Sequence, residues 1–316
     1  MMKALLQDKP YGEIDVEKRN LLYILLWLFG TSLFCLVLFL YIQLYRIITY
    51  EFPDPPSYNN PAVHEEREME KQKEEKRNIQ AGQLANRKTG VREIPFSLEP
   101  YMEAHLREFR NKAQLLNQEF PDSFLISTDE TKKTIALTFD DGPDDKATLE
   151  IVNILNSYEV PGTFFLIGNQ INRHPDIVQA IIDSGHKIAN HSWSHKRPTD
   201  ISTNEMLEEA ENAWEIISSY DSFTRLYRPP YGLVNRSQMP ALIEAGYKVV
   251  CWSIDSMDWY FDSPEKIAAC VTETAHPGAI VLMHSAGGLR NRQATIEALP
   301  IIIEKLMEEG YEFISL

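Results

Sequence analysis

The chain has 316 residues, 44% hydrophobic and 24% charged, a composition that supports a sizeable buried core. Its formal charge of −15 offers no basic stripe to neutralise phosphates, which argues against general nucleic-acid binding. Cys35, Cys251 and Cys270 make no disulfide framework, and without a Cys-x-x-Cys pair a thiolate zinc site is set aside.

Residues 21–45 carry no charge, and Gln43 near the end is the one strongly polar side chain. At ~1.5 Å per residue this run crosses the ~30 Å hydrocarbon core. No small-x-small cleavage pattern follows, because Arg46 and the bulky Ile47-Ile48-Thr49-Tyr50 come next. A retained transmembrane signal anchor over 21–47 is therefore expected. Lys18 and Arg19 abut its first end while Arg46 stands alone beyond the second. The positive-inside rule then puts the short tail at 1–20 in the cytoplasm and the rest of the chain outside the cell, as a single-pass membrane protein.

Residues 48–97 read as a spacer. Pro53, Pro55, Pro56 and Pro61 stiffen its start, and residues 64–77 are nearly all Glu, Lys and Arg with no apolar stripe. Over 98–120 the pattern changes. Met102, Leu106, Phe109, Ala113, Leu116 and Phe120 recur at steps of four and three, which predicts an amphipathic helix. Packing on the domain that follows is favoured over pairing with a second copy, since too few heptads are present for a coiled coil. No obligate protein partner is evident.

The region 131–316 alternates strand and helix patterns. Strands are predicted over 134–139, 163–167, 187–190, 225–227, 248–254, 279–283 and 312–315. Helices are predicted near 147–157, 175–184, 203–219, 236–245, 264–274 and 295–309, with Ser202 as an N-cap. Such alternation implies an α/β fold, either a barrel or a doubly wound sheet, with parallel strands and helices outside. Cys251 and Cys270 read as buried free thiols.

Five polar clusters fall at strand ends, where α/β folds place their sites. They are Thr138-Phe139-Asp140-Asp141-Gly142-Pro143, His191-Ser192-Trp193-Ser194-His195, Arg228-Pro229-Pro230-Tyr231-Gly232, Asp255-Ser256-Met257-Asp258-Trp259 and Leu282-Met283-His284-Ser285. One carboxylate and two imidazoles make an open metal shell that leaves room for a water. His191 and His195 are four apart, so on one helical turn they project from the same face. A second carboxylate and a third histidine are available for proton transfer. Trp193 reads as core, Asp255 as a brace for the loop carrying Asp258, and His64, His105, His174, His186 and His276 as surface or packed residues. Ser192 and Ser194 lack a nucleophile elbow.

On these motifs, residues 132–316 resemble the polysaccharide deacetylases, the metal-dependent carbohydrate esterases of the NodB-homology type. The resemblance implies a distorted (β/α) barrel of about seven parallel strands, preceded here by the transmembrane helix and charged spacer. It implies hydrolysis of acetyl groups from acetylated glycans. Asp141, His191 and His195 resemble the metal ligands and Asp140 the general base, with Arg228 as its partner. The backbone N–H of Tyr231 resembles an oxyanion donor. His284 resembles the general acid, Asp258 its partner, and Trp259 and Leu282 the walls of the acetyl pocket. Zinc suits the shell, and cobalt or nickel would also fit. Lys196-Arg197-Pro198 and Gly162-Thr163 depart from the usual family letters without touching the chemistry, while the intact Asp141 argues against the muramic lactam subgroup.

Anchoring beneath a wall points to peptidoglycan, with N-acetylglucosamine as the deacetylated sugar. A chitooligosaccharide or O-acetyl-glycan esterase is the alternative enzyme. A catalytically idle glycan-binding protein is the alternative of another class.

Overall fold

The computed structural model describes residues 94–220 and 223–316. The expected cytoplasmic tail, the membrane span at 21–47 and most of the spacer lie outside the described residues. Among the described residues no helix is long and apolar enough to cross a membrane.

Nine strands form one sheet: β1 (Phe124–Leu125), β2 (Thr134–Asp140), β3 (Gly162–Leu166), β4 (Lys187–Asn190), β5 (Phe223–Tyr227), β6 (Lys248–Val250), β7 (Ile254–Asp255), β8 (Ala279–His284) and β9 (Glu312–Phe313). Their order is β1-β6-β5-β4-β3-β2-β8-β7, with β9 beside the start of β2, and every ladder is parallel. Parallel neighbours need crossovers, which the helices supply. The helices are α1 (Pro100–Glu119), which precedes β1, and the crossover helices α2 (Thr148–Ser157), α3 (Gly168–Ile171), α4 (Pro175–Asp183), α5 (Thr203–Ile217), α6 (Met239–Glu244), α7 (Pro264–Thr272) and α8 (Gln293–Glu308). Ser202 caps α5 as expected, accepting from the Glu205 N–H at 3.2 Å.

The single strand expected over 248–254 is two strands on opposite flanks of the sheet. β6 lies between β1 and β5, whereas β7 lies beyond β8. Only Cys251, Trp252 and Ser253 separate them, and an extended chain covers about 14 Å from Val250 to Ile254. That short tether pulls the flanks together and curls the sheet. The N–H of Cys251 donates to Leu125 O at 2.8 Å and that of Ser253 to Ile280 O at 3.1 Å, so the crossing segment bonds to both sides. No ladder joins β1 to β7 among the described residues, so the expected barrel is a curled half-barrel. It holds nine short strands instead of about seven, because β1 is too short to show a pattern and 248–254 divides.

Strand alternation decides what faces the interior. In β2, Ile135, Leu137 and Phe139 point outward and pack with Ile151, Leu155, Leu299 and Ile302 of α2 and α8. Ala136 points inward, clustering with Phe165, Ala189, Val250 and Ile280. Thr138 and Asp140 follow it on the same face. The concave side is thus lined by apolar side chains below and a carboxylate at the rim.

α1 packs on the domain in cis. Its buried residues are Met102, Leu106, Phe109, Ala113 and Leu116, the predicted stripe. Phe109 stacks on Trp252 with ring centroids 4.6 Å apart, and Ala113 and Leu116 join Phe124, Met239 and Val249 in one cluster. Cys251 and Cys270 are buried free thiols.

Replacing Phe109 by Ala is expected to cost about 3 kcal/mol, the usual scale for emptying a buried aromatic site. Ser202→Ala is expected to cost about 1 kcal/mol through the lost cap. Urea midpoints at constant slope would measure both, and an unshifted midpoint for Phe109→Ala would refute cis packing of α1.

Candidate active site and metal centre

Arg228, the residue after β5, is completely buried. Its Nη1 donates to Asp140 Oδ1 at 2.7 Å and to Thr138 Oγ1 at 2.8 Å. Nε and Nη2 donate to the carbonyls of Val250 and Cys251, each at 3.2 Å, and the guanidinium lies 4.0 Å from the Phe165 ring centroid. Asp140 is therefore clamped through one oxygen. Its other oxygen, Oδ2, lies 3.7 Å from His191 Nε2.

Asp141 turns away from its neighbour because its backbone enters the left-handed region, at φ 74°. The two adjacent carboxylates thereby serve different places. Asp141 Oδ1 lies 3.5 Å from His191 Nε2 and 3.3 Å from His195 Nε2. One ligand atom from each of these three residues lies within 4.8 Å of the others. His191 Nδ1 donates to the Arg228 carbonyl at 2.7 Å, which turns Nε2 toward Asp141 as a lone-pair donor. Burial and the nearby His191 ring lower the pKa of His195 to about 4, keeping it neutral as a ligand must be. Burial pushes Asp141 up, but His191 beside it and the charged His284 outweigh this and hold it well below the usual range. Two imidazole nitrogens and one carboxylate oxygen fit a divalent cation of the zinc type.

The histidine pair does not sit on a helical turn. Residues 191–195 form an irregular loop, with Ser192 at φ 65° and His195 at φ 62°. Side chains hold that loop in place. Ser192 N–H donates to Asn190 Oδ1 at 2.8 Å, His195 N–H to Ser192 Oγ at 2.9 Å, and Ser194 N–H to Glu209 Oε2 at 2.7 Å. The rings converge to 4.9 Å between centroids through tertiary support instead of helical periodicity.

On the other side, β2 and β8 run in register so that Asp140 pairs with His284. His284 Nδ1 lies 2.6 Å from Asp258 Oδ1, and its backbone N–H donates to Asp258 Oδ2 at 2.9 Å. Thr295 Oγ1 donates to Oδ2 at 2.9 Å as well. Burial disfavours the imidazolium, yet the Asp258 carboxylate overrides it and raises the His284 pKa to about 9. Asp255 acts as the expected brace, accepting from the Met257 N–H at 2.8 Å and from Trp259 Nε1 at 3.1 Å. Burial raises its own pKa to about 6.

Eight of the ten predicted site residues line one cavity of about 290 Å³: Asp140, Asp141, His191, His195, Tyr231, Trp259, Leu282 and His284. The remaining two, Arg228 and Asp258, sit directly behind Asp140 and His284. Tyr231 is half exposed at φ 61°, its ring 4.8 Å from that of His195 and 4.4 Å from the Arg197 guanidinium. Trp193 packs against Gly168 rather than entering the cavity.

Sequence reasoning missed Arg292. It is 5% exposed, donates from Nε to Ala286 O at 2.9 Å and from Nη1 to Asp258 O at 3.2 Å. Its Nη2 lies 3.8 Å from Asp141 Oδ2, so it faces both the Asp141 carboxylate and Asp258, the partner of His284. A Cβ on Gly288 would meet its Cζ at 2.5 Å. The Gly287-Gly288 pair just past the Leu282-Met283-His284 cluster is the one sequence signal for such a close approach. Trp252 and the α1 residues His105, Leu106 and Phe109 also line the cavity without having been expected there.

Comparison with known proteins agrees with this geometry. The profile described as "Polysaccharide deacetylase" matches residues 127–250. A peptidoglycan-N-acetylglucosamine deacetylase of Bacillus cereus is 33% identical over 195 residues, covering 61% of this chain and 70% of that protein. A peptidoglycan-N-acetylmuramic acid deacetylase of Bacillus subtilis is 31% identical over 67% of this chain and 45% of its own. Among solved structures, the Bc1960 peptidoglycan N-acetylglucosamine deacetylase superimposes with a TM-score of 0.58 at 33% identity, covering 60% of this chain and 89% of that one. BA3943 from Bacillus anthracis, described as a CE4 family pseudoenzyme, superimposes with a TM-score of 0.55 at 27% identity over 60% of this chain and 66% of its own. By profile, relatives and architecture alike, the chain belongs to the polysaccharide deacetylase family.

Proposed function

We propose that this protein is a metal-dependent hydrolase that removes the acetyl group from N-acetylglucosamine residues of peptidoglycan, and that residues 21–47 anchor it with this domain on the outer side of the membrane. The observation that carries the chemistry is the convergence of two separately supported proton-transfer groups on one candidate metal shell. Asp140 is held by Arg228, and His284 by Asp258, on two adjacent strand ends beside Asp141, His191 and His195. The choice of sugar and polymer is supported by those relatives that are named for peptidoglycan N-acetylglucosamine.

A divalent cation held by Asp141, His191 and His195 would supply a Lewis acid for the acetyl carbonyl and acidify a neighbouring water. Asp140 takes a proton from the attacking water as the water oxygen bonds to the acetyl carbon. Arg228 keeps the carboxylate aimed by occupying its other oxygen. The backbone N–H of Tyr231 donates to the oxyanion that develops on the acetyl oxygen, a contribution of about 3 kcal/mol in comparable sites. His284 gives its proton to the sugar nitrogen as the C–N bond breaks, so acetate and a free amine leave. Trp259 and Leu282 wall the space for the acetyl methyl.

The primary test is acetate release from purified peptidoglycan against N-acetylglucosamine oligomers, using the full chain. Release from peptidoglycan that stops on chelation and returns with added metal is expected, whereas metal-independent release or none would refute the reading. Asp140→Asn is expected to retain metal, measured by elemental analysis, while turnover falls about 10²–10⁴-fold. His195→Ala is expected to lose metal and activity together.

The pH profile tests the acid. A general acid works while protonated, so activity is expected to fall as pH rises through about 9, the raised His284 value. Asp258→Asn removes the carboxylate that raises it most, leaving burial and Arg292 opposed only by Asp141. The alkaline limb is then expected to move down by more than ~1 pH unit. A limb that stays in place would exclude His284 from that role.

A further inference from the structure

The helix that precedes the family-matched region shares a wall with the catalytic cavity. His105, Leu106 and Phe109 of α1 line the same space as Asp140, Asp141 and His284, although the matched segment begins only at residue 127. The contact runs through an aromatic stack. Phe109 and Trp252 lie nearly parallel, 19° between planes, and both reach the cavity. A Cβ on Gly232, at φ 66°, would meet Trp252 Cη2 at 2.5 Å and Phe109 Cε2 at 2.7 Å. The turn that follows Tyr231 is therefore pressed against this stack. α1 reaches both the wall of the cleft and the loop carrying the expected oxyanion donor.

We propose that α1 is part of the substrate site, and that its His105–Phe109 edge with Trp252 binds the sugar next to the one being deacetylated. This rests on the glycan reading above. The wall has the mixed character that sugars require: apolar and aromatic surface for a pyranose C–H face, and an exposed imidazole able to exchange hydrogen bonds with hydroxyls. It opens onto the cavity that holds the acid and base, so a chain threaded through the site would meet it. A single acetylated sugar would fill the reaction end alone and gain nothing from this wall.

The test uses the full chain and its His105→Ala and Phe109→Leu variants, with N-acetylglucosamine and its tetramer as probes. In the acetate assay the preference for tetramer over monomer, as a ratio of kcat/KM, is expected to fall about fivefold or more, the equivalent of ~1 kcal/mol of lost contact, with the change in KM. Binding of the tetramer by calorimetry to Asp140→Asn chains carrying each substitution is expected to weaken by a similar factor. Urea midpoints check that both variants remain folded. An unchanged tetramer preference together with an unchanged tetramer affinity would overturn the proposal. The deacetylase reading fails separately, by absence of acetate release from the unsubstituted protein, and the calorimetry decides the role of α1 in either case.

Discussion

The site depends on one buried cation. Arg228 is withdrawn from water entirely, which is costly unless every donor is matched. Each nitrogen of the planar guanidinium fork is matched, by Asp140, Thr138 and two backbone carbonyls, with the Phe165 ring against its face. A lysine could not replace it, because one ammonium cannot reach four acceptors spread around a plane. The partners lie on or beside β2 and β6 while the arginine follows β5, so the guanidinium ties three strands at the rim. Its own carbonyl orients His191. Asp140 and His191 are thus positioned by a single residue, and the small inward side chains Ala136 and Ala189 leave the interior room to hold it.

Around this anchor the loops are bent into conformations that non-glycine residues rarely adopt. Asp141, Ser192, His195, Tyr231, Met257 and Arg292 all have φ between 57° and 74°. Left-handed backbone costs of order 1 kcal/mol per residue and persists only where surroundings over-determine it. Here they do: Glu209 grips Ser194, Asp255 grips Met257 and Trp259, and Arg292 reaches back to Ala286. The fold spends packing energy to hold side chains ready before substrate arrives.

The clusters at strand ends were legible because strand alternation and βα order are local patterns. The five clusters meet at one rim, and eight of the ten chosen side chains share one cavity. What local pattern could not show is whatever distant partners decide. Residues 191–195 have helical spacing but follow a loop, since Asn190 and Glu209 outbid local periodicity. Residues 248–254 read as one apolar strand, yet the chain crosses the open side of the sheet at Trp252. Phe124 and Leu125 are too few to register as a strand. The α1 stripe showed a buried face without showing what it would bury against, and Arg292 matters through Asp141 and Asp258, which are remote in sequence.

Fold likeness alone does not establish chemistry in this family, since a relative described as a pseudoenzyme shares the architecture. The stronger argument is the division of labour between neighbours. Asp140 and Asp141 are adjacent in sequence and chemically identical, yet one is hydrogen-bonded by the buried Arg228 guanidinium at 2.7 Å while the other lies between two imidazoles, with Arg292 3.8 Å away. His284 and His195 show the same contrast: a buried carboxylate raises one to about 9, while burial beside another imidazole lowers the other to about 4. Like groups driven apart by their surroundings are what acid, base and ligand roles require. A cleft that only held glycan would gain nothing from keeping one histidine charged and its neighbour across the cavity neutral.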